Sequence, residues 1–332
     1  MKTTLHTSSD LAAPRPNRLN YGQVQTRINQ LVGEYLAIAT LQSRLEDLPQ
    51  QLLTPTPRAW QRIEWDAIAT PQIVGIQPDI FIKILAGTIG TEAPIRGYTQ
   101  ASRQYLAHFY PAMARFVGGR LSDTGDLIEL GLWEKEERRH TPALSRIYKQ
   151  LTGQSPQVTP HSARPYSPSA DLKKDLYRHG LHRIATEYGA TCLYLWMMAH
   201  TTGTLQSVLA ELLIDEINHM TKFWGFGLWA YPDSSFFKIG QTLFSALQEK
   251  WRNPHIQGSL LHTLGRMTQE LKWAEWSFTN QASLMYTFGR VMYQLLQWHS
   301  RLTPEYLRAL LGEPGGKYKA QTIHPPIAVK LS

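Results

Sequence analysis

Cysteine is almost missing: Cys192 is the only one in 332 residues, which excludes an internal disulfide framework and fits a reducing compartment. Long hydrophobic runs are missing too. The longest candidate, Tyr188 to Ala199, falls well short of the ~20 residues needed to span a bilayer. The opening residues lack the apolar stretch of a secretory signal. There is no run of alternating β-branched residues, no glycine-rich phosphate loop and no basic string of the kind that tracks nucleic acid. Charge is sparse at 18%, and acids are outnumbered 26 to 34, leaving +8. That excess points to an acidic partner. Apolar residues at 42% exclude a largely disordered chain. The expectation is a soluble, cytoplasmic, mainly helical protein.

Residues 1–20 are polar, carry Pro14 and Pro16, and read as a flexible arm. Ile28, Leu31, Tyr35, Ile38, Leu41 and Leu45 recur at helical spacing and predict one amphipathic helix over 21–48, ended by Pro49, Pro55 and Pro57. A second helical stretch starts at Gln77-Pro78-Asp79 and carries Gly87, Gly90, Ala93, Pro94 and Gly97, with a bend expected at Pro94. Gly118-Gly119 marks a turn, and a helix is expected from Asp126 to Leu151. Residues 153–170, rich in Pro and Ser, form the clearest long connection. Two long helical patterns follow, 172–201 and 204–230, separated at Gly203. Further helices are expected over 234–252, 256–299 and 303–311. The organisation is thus an arm (1–20), a helical bundle with a long crossover after its second core helix (21–255), additional helices (256–311) and a coil tail (312–332).

Two segments share one pattern: Glu136-Glu137-Arg138-Arg139-His140 and Asp215-Glu216-Ile217-Asn218-His219. Each is Glu-x-x-His preceded by an acid. Positions i and i+3 lie on one helix face, so each segment aims a carboxylate and an imidazole at one point. Two such helices, with one glutamate from each of two others, make the ligand set of a di-iron or di-manganese carboxylate site. The other glutamates are Glu92, in the glycine-rich helix, and Glu187, in largely apolar surroundings where a bare carboxylate is costly.

Residues 60–255 resemble the soluble acyl-carrier-protein desaturases, a ferritin-like di-iron family. The resemblance rests on Trp133-x-x-Glu136-Glu137-x-Arg139-His140, on Asp215-Glu216-x-x-His219 with Tyr231-Pro232-Asp233 beyond it, and on Ile76-Gln77-Pro78-Asp79-x-Phe81 leading to Thr91-Glu92 and Tyr98. Glu187 followed by Ala190-Thr191, and Trp60-Gln61, resemble further family segments. The resemblance implies an all-α, ferritin-like four-helix bundle core with additional N- and C-terminal helices. It implies metal ligands Glu92, Glu137, His140, Glu187, Glu216 and His219, with Asp215 hydrogen-bonded to a ligating imidazole and Trp60 completing an electron path towards it. Thr191 stands one position beyond the family's threonine, which is Ala190 here. Asn218 replaces an arginine usual before the second histidine. The implied cofactor is two iron ions, or manganese, with O2 as co-substrate. The implied partners are acyl carrier protein, whose fatty acyl chain is oxidised, a ferredoxin-like electron donor, and a second copy of the chain as a homodimer.

Three rivals share the motif: a di-iron oxygenase acting on a small amine or aromatic, the radical subunit of ribonucleotide reductase, and a non-enzymatic metal-binding protein. The second expects a tyrosine four residues after the first histidine, where this chain has Leu144. His179-x-x-His182 reads as a surface or capping pair, Cys192 as a structural thiol, and Phe223, Trp224, Phe226, Trp229 and Tyr231 as core aromatics.

Overall fold

The computed structural model describes residues 19–157, 166–234, 269 and 271–314, and these are mostly helical. The expected arm, the 234–252 helix, the first part of 256–299 and most of the coil tail lie outside the described residues.

α1 (Tyr21–Tyr35) opens on a capping box, in which the Asn20 side chain accepts from the Gln23 amide and the Gln23 side chain accepts in return. This satisfies amides that have no partner within the helix. The single helix expected over 21–48 is three: α1, α2 (Ile38–Glu46) and α3 (Leu48–Leu53). No helix breaker stands at the first interruption. Leu36 leaves helical geometry and is fully buried there, so tertiary packing overrides local propensity. Pro49 falls in the first turn of α3, where its missing amide costs nothing.

α4 (Pro78–Glu92) and α5 (Ile95–Ala107) are divided at Ala93-Pro94, as the proline requires. After α6 (Pro111–Gly118) the expected helix start at Asp126 gives way to a small antiparallel hairpin, β1 (Arg120–Leu121) with β2 (Leu127–Glu129). Gly119 makes the hairpin possible. It has φ +80°, and a Cβ there would lie 1.8 Å from the Glu129 carbonyl oxygen. Helix resumes as α7 (Leu132–Glu137) and α8 (His140–Thr152). The interruption has a local cause, because Pro142 has no amide to give the Arg138 carbonyl and its ring collides with that carbonyl.

α9 (Leu172–Ala199) and α10 (Gly203–Ala230) match the long helices expected from sequence within two residues at each end, and they pack along one another. Every residue from Thr191 to Thr201 is buried, which makes the end of α9 the centre of the molecule. Arg27 crosses from α1 to donate to the Ala199 carbonyl at 2.7 Å and to the Thr201 carbonyl, oxygens that a helix C-terminus leaves without partners. α4 packs on α8, while α1 and α11 (Phe278–His299) pack on α9 and α12 (Pro304–Leu311) packs on α10. Among the described residues no helix is long and apolar enough to cross a membrane.

Candidate metal centre

Five helices deliver the expected ligands. Glu92 is the last residue of α4, so its side chain projects where the chain bends. Glu137 ends α7 and His140 begins α8. The break at Pro142 does not separate them, since His140 Nδ1 lies 3.2 Å from Glu137 Oε2. Glu187 comes from the middle of α9, and Glu216 and His219 from one face of α10.

The six converge as two overlapping groups, Glu92–Glu137–His140–Glu216 and Glu137–Glu187–Glu216–His219, each with its candidate ligand atoms within 4.8 Å of one another. Glu137 and Glu216 belong to both. Around them His140 Nδ1 is 3.2 Å from Glu216 Oε1, and His219 Nδ1 is 2.9 Å from Glu137 Oε1 and 3.6 Å from Glu187 Oε2. Glu137, Glu187 and Glu216 are at most 4% exposed, and both histidines are fully buried. His140 Nδ1, His219 Nδ1, Glu187 Oε2 and Glu216 Oε1 are all buried without an acceptable hydrogen-bond partner. Buried polar atoms are ordinarily satisfied, so four unpartnered atoms aimed at one volume fit a group that could hold a cation. Four carboxylates and two neutral imidazoles carry −4, which two divalent ions neutralise. Oxygen-rich donors with imidazole suit iron or manganese.

An acid lies on the far side of each imidazole, and the arrangement is crossed. His140 Nε2 stands 3.5 Å from Asp215 on α10, and His219 Nε2 stands 3.0 Å from Glu136 on α7. The acid preceding each ligand glutamate thus serves the histidine of the other helix. The hydrogen bond to Glu136 leaves His219 Nδ1 facing Glu137 and Glu187, whereas His140 Nε2 lies near Asp215 without a hydrogen-bond partner. Asp215 also accepts from the Trp60 indole at 2.8 Å and from the guanidiniums of Arg139 and Arg58 at 2.9 Å each. The Arg58 backbone amide donates to Glu136 at 2.8 Å, and the Arg58 side chain continues to Glu211. The short stretch Arg58–Trp60 therefore ties both outer acids. Trp60 is half-buried and lies 6.4 Å from the His140 ring, stacked at 29°. Two ligands have donors of their own: Trp133 Nε1 to Glu137 Oε1, and Tyr194 Oη to Glu92 Oε1, each at 3.0 Å.

Without metal this cluster binds protons strongly. Burial and the neighbouring Glu137 push the Glu92 carboxyl up to about 7 and drive Glu216 well above the usual carboxylate range. Burial opposes charge on both histidines, but for His140 it is outweighed by Glu137, Asp215 and Glu216, and for His219 by Glu136, Glu137 and Glu187, so both are raised well above 6.5. Burial likewise opposes the charge of Glu137, and the two histidines more than offset it, holding that carboxyl far below its usual range. Asp215 is lowered to about 2, burial being overcome by His140, His219 and Arg58.

All six residues expected as ligands come together, and the Trp60 indole donates to Asp215, while Asp215 stands 3.5 Å from His140 Nε2 without the hydrogen bond expected to an imidazole. Thr191 lies on the Glu187 helix with its hydroxyl buried and without a partner. Glu136, Arg58 and Tyr194 were not among the expected site residues. Glu136 had a signal, because it precedes its ligand glutamate as Asp215 does. Arg58 and Tyr194 had none, since contacts that bring separate segments together leave no local pattern. The arginine absent at Asn218 is supplied from another helix, where Arg44 of α2 donates to the Asn218 side chain. His179 lies outside the cluster, 2.8 Å from Ser102 Oγ and stacked on Tyr105. Cys192 is buried, and burial pushes its thiol up, which keeps it unreactive. Phe223 and Phe226 are core residues, Phe223 edge-on to Trp133 at 5.2 Å.

Compared with protein-family models, curated proteins and solved structures, the chain matches none.

Proposed function

We propose that this chain is a ferritin-like dinuclear metalloprotein that uses two iron ions and O2 to oxidise a C–H bond of a carrier-bound fatty acyl chain, as the acyl-carrier-protein desaturases do. The observation that carries the reading is the pair of four-residue groups sharing Glu137 and Glu216, because a ligand set with two shared carboxylates would suit two ions rather than one. Bound there, the iron pair would supply the electrons that activate dioxygen towards an unreactive C–H bond. The chain's own part is to hold the ions and exclude water. Glu92 and His140 would complete one position and Glu187 and His219 the other, while Glu136 would fix the His219 ring and Asp215 stands behind His140. The buried collar of Trp133, Tyr194 and Phe223 keeps water out, so the charges act at low dielectric. The Trp60–Asp215–His140 contact connects a half-buried indole to the site and gives an electron donor a route inward. The +8 net charge fits docking of acidic acyl carrier protein and an acidic ferredoxin.

The test is metal content of protein purified without added iron, with the optical spectrum after aerobic reconstitution. Close to two irons per chain, with oxo-to-iron absorption that bleaches on reduction, supports the dinuclear reading, and turnover of an acyl-carrier-protein substrate then tests the substrate class. Absence of metal, or one tightly held zinc, would overturn it. Two irons without turnover of any acyl carrier would favour the small-molecule oxygenase or the metal-binding protein.

A further inference from the structure

Tyr194 is fully buried, and its hydroxyl donates to Glu92 Oε1 at 3.0 Å. Nothing in the paired Glu-x-x-His pattern calls for a tyrosine at this point, two helical turns beyond Glu187 on α9. Its significance lies in how unlike the outer corners of the two ligand groups are. The Glu187 side chain is 5% exposed, rises from the middle of a long helix, and places Oε2 3.6 Å from His219 Nδ1. His219 in turn is backed by Glu136 at 3.0 Å. Glu92 ends its helix at the Ala93-Pro94 break, its side chain is 13% exposed, and it stands 4.0 Å from His140 Nδ1. His140 is backed by Asp215 at the longer distance of 3.5 Å. Glu137 and Glu216 are common to both groups and cannot distinguish them.

We infer that Tyr194 is a positioning residue that orders Glu92, and that the two metal positions are unequal: the Glu187–His219 position fills first and tightly, and the Glu92–His140 position fills second and exchanges more readily. The inference rests on the dinuclear reading. A carboxylate at a helix end has few neighbours to fix its rotamer, and among the described residues the tyrosine hydroxyl is the only hydrogen-bond donor to Glu92. That hydrogen bond occupies Oε1 and leaves Oε2 turned towards His140. Removing it frees the carboxylate to rotate away, an effect confined to the one position Glu92 completes.

The experiment is anaerobic titration of Fe(II) or Mn(II) into the metal-free full chain, followed by calorimetry and by metal counting after equilibrium dialysis. The native protein should show two steps, the second weaker. Tyr194→Phe should weaken the second step by about ten- to hundredfold, the usual effect of removing an outer partner of a ligand, and leave the first unchanged. Trp133→Phe removes the donor to the shared Glu137 and should weaken both steps, which separates a local effect from general loosening. Should Tyr194→Phe not fold, Glu92→Gln and Glu187→Gln give the same order, because the first should spare the tight step and the second abolish it. Two equal steps in the native protein, or Tyr194→Phe affecting both steps alike or neither, would overturn the inference. A native protein that binds no metal registers as zero stoichiometry and overturns the dinuclear reading itself, a different result from a misassigned Tyr194.

Discussion

Removal of metal should invert the usual dependence of stability on pH. Buried carboxylates in most proteins are paired and depressed, so stability is lost as pH falls. Here Glu92 is raised from 4.5 to about 7. A group with a raised folded value binds its proton more tightly in the native state, so its contribution is present below pH 4.5 and is lost as pH rises through 7. The loss from Glu92 alone is about 2.5 × 1.36, or ~3 kcal/mol. Glu216 shifts in the same direction. His140 and His219, also raised, add losses of the same sign above pH 6.5. Glu137 and Asp215 act oppositely, but their range lies below pH 4.5. Metal-free protein should therefore melt at progressively lower temperature from pH 5 to pH 8, by about 5 °C or more at the ~2 °C per kcal/mol suited to a chain of this size. Metal-loaded protein, whose ligands carry no protons, should show no such fall, and loading should release protons that calorimetry in buffers of different ionisation enthalpy counts. The assay is differential scanning calorimetry of chelated and loaded protein at half-unit pH intervals. A metal-free melting temperature that is flat or rises over this range would refute the electrostatic account of the cluster.

Substitution of the shared ligand should differ from substitution of an outer one. Glu137→Ala leaves neither group complete and should reduce bound metal to near zero by elemental analysis, whereas Glu187→Ala should retain about one ion per chain. Glu136→Gln leaves all six ligands in place but weakens the backing of His219, and competition against a chelator should show metal affinity lower by about ten- to hundredfold. Gly131→Ala tests the seating of the ligand helix. A Cβ there would lie 2.3 Å from the Val117 carbonyl oxygen and 2.7 Å from the Gly118 amide nitrogen, backbone atoms that cannot rotate away. The clash should cost about 1–3 kcal/mol in chemical denaturation and displace α7, so metal affinity should fall with stability. Native stability and affinity in that variant would show the hairpin to be independent of the site.

The candidate ligands were legible because a metal site of this kind would impose a short-range rule. A carboxylate and an imidazole three residues apart face one way in any helix, and two such pairs with two lone glutamates in helical stretches leave few other groupings. The long helices α9 and α10 were legible for a related reason, since their apolar residues are continuous and a glycine marks the turn between them. The hairpin at Arg120–Glu129 was not, because strands of two and three residues are too short to show alternation. The break in the first helix was not either, because Leu36 is pulled out of helical geometry by the core it enters. The break between Glu137 and His140 is the instructive case. Pro142 announces it, and it falls inside the motif whose spacing assumes an unbroken helix. The motif survives because Arg138 and Arg139, at the break, keep right-handed helical backbone angles, so that Glu137 and His140 stay within 3.2 Å. Arg139 reaches the Arg58 carbonyl at 2.6 Å and Asp215 at 2.9 Å. One arginine inside the motif thus joins the loop carrying Trp60 to the acid behind His140.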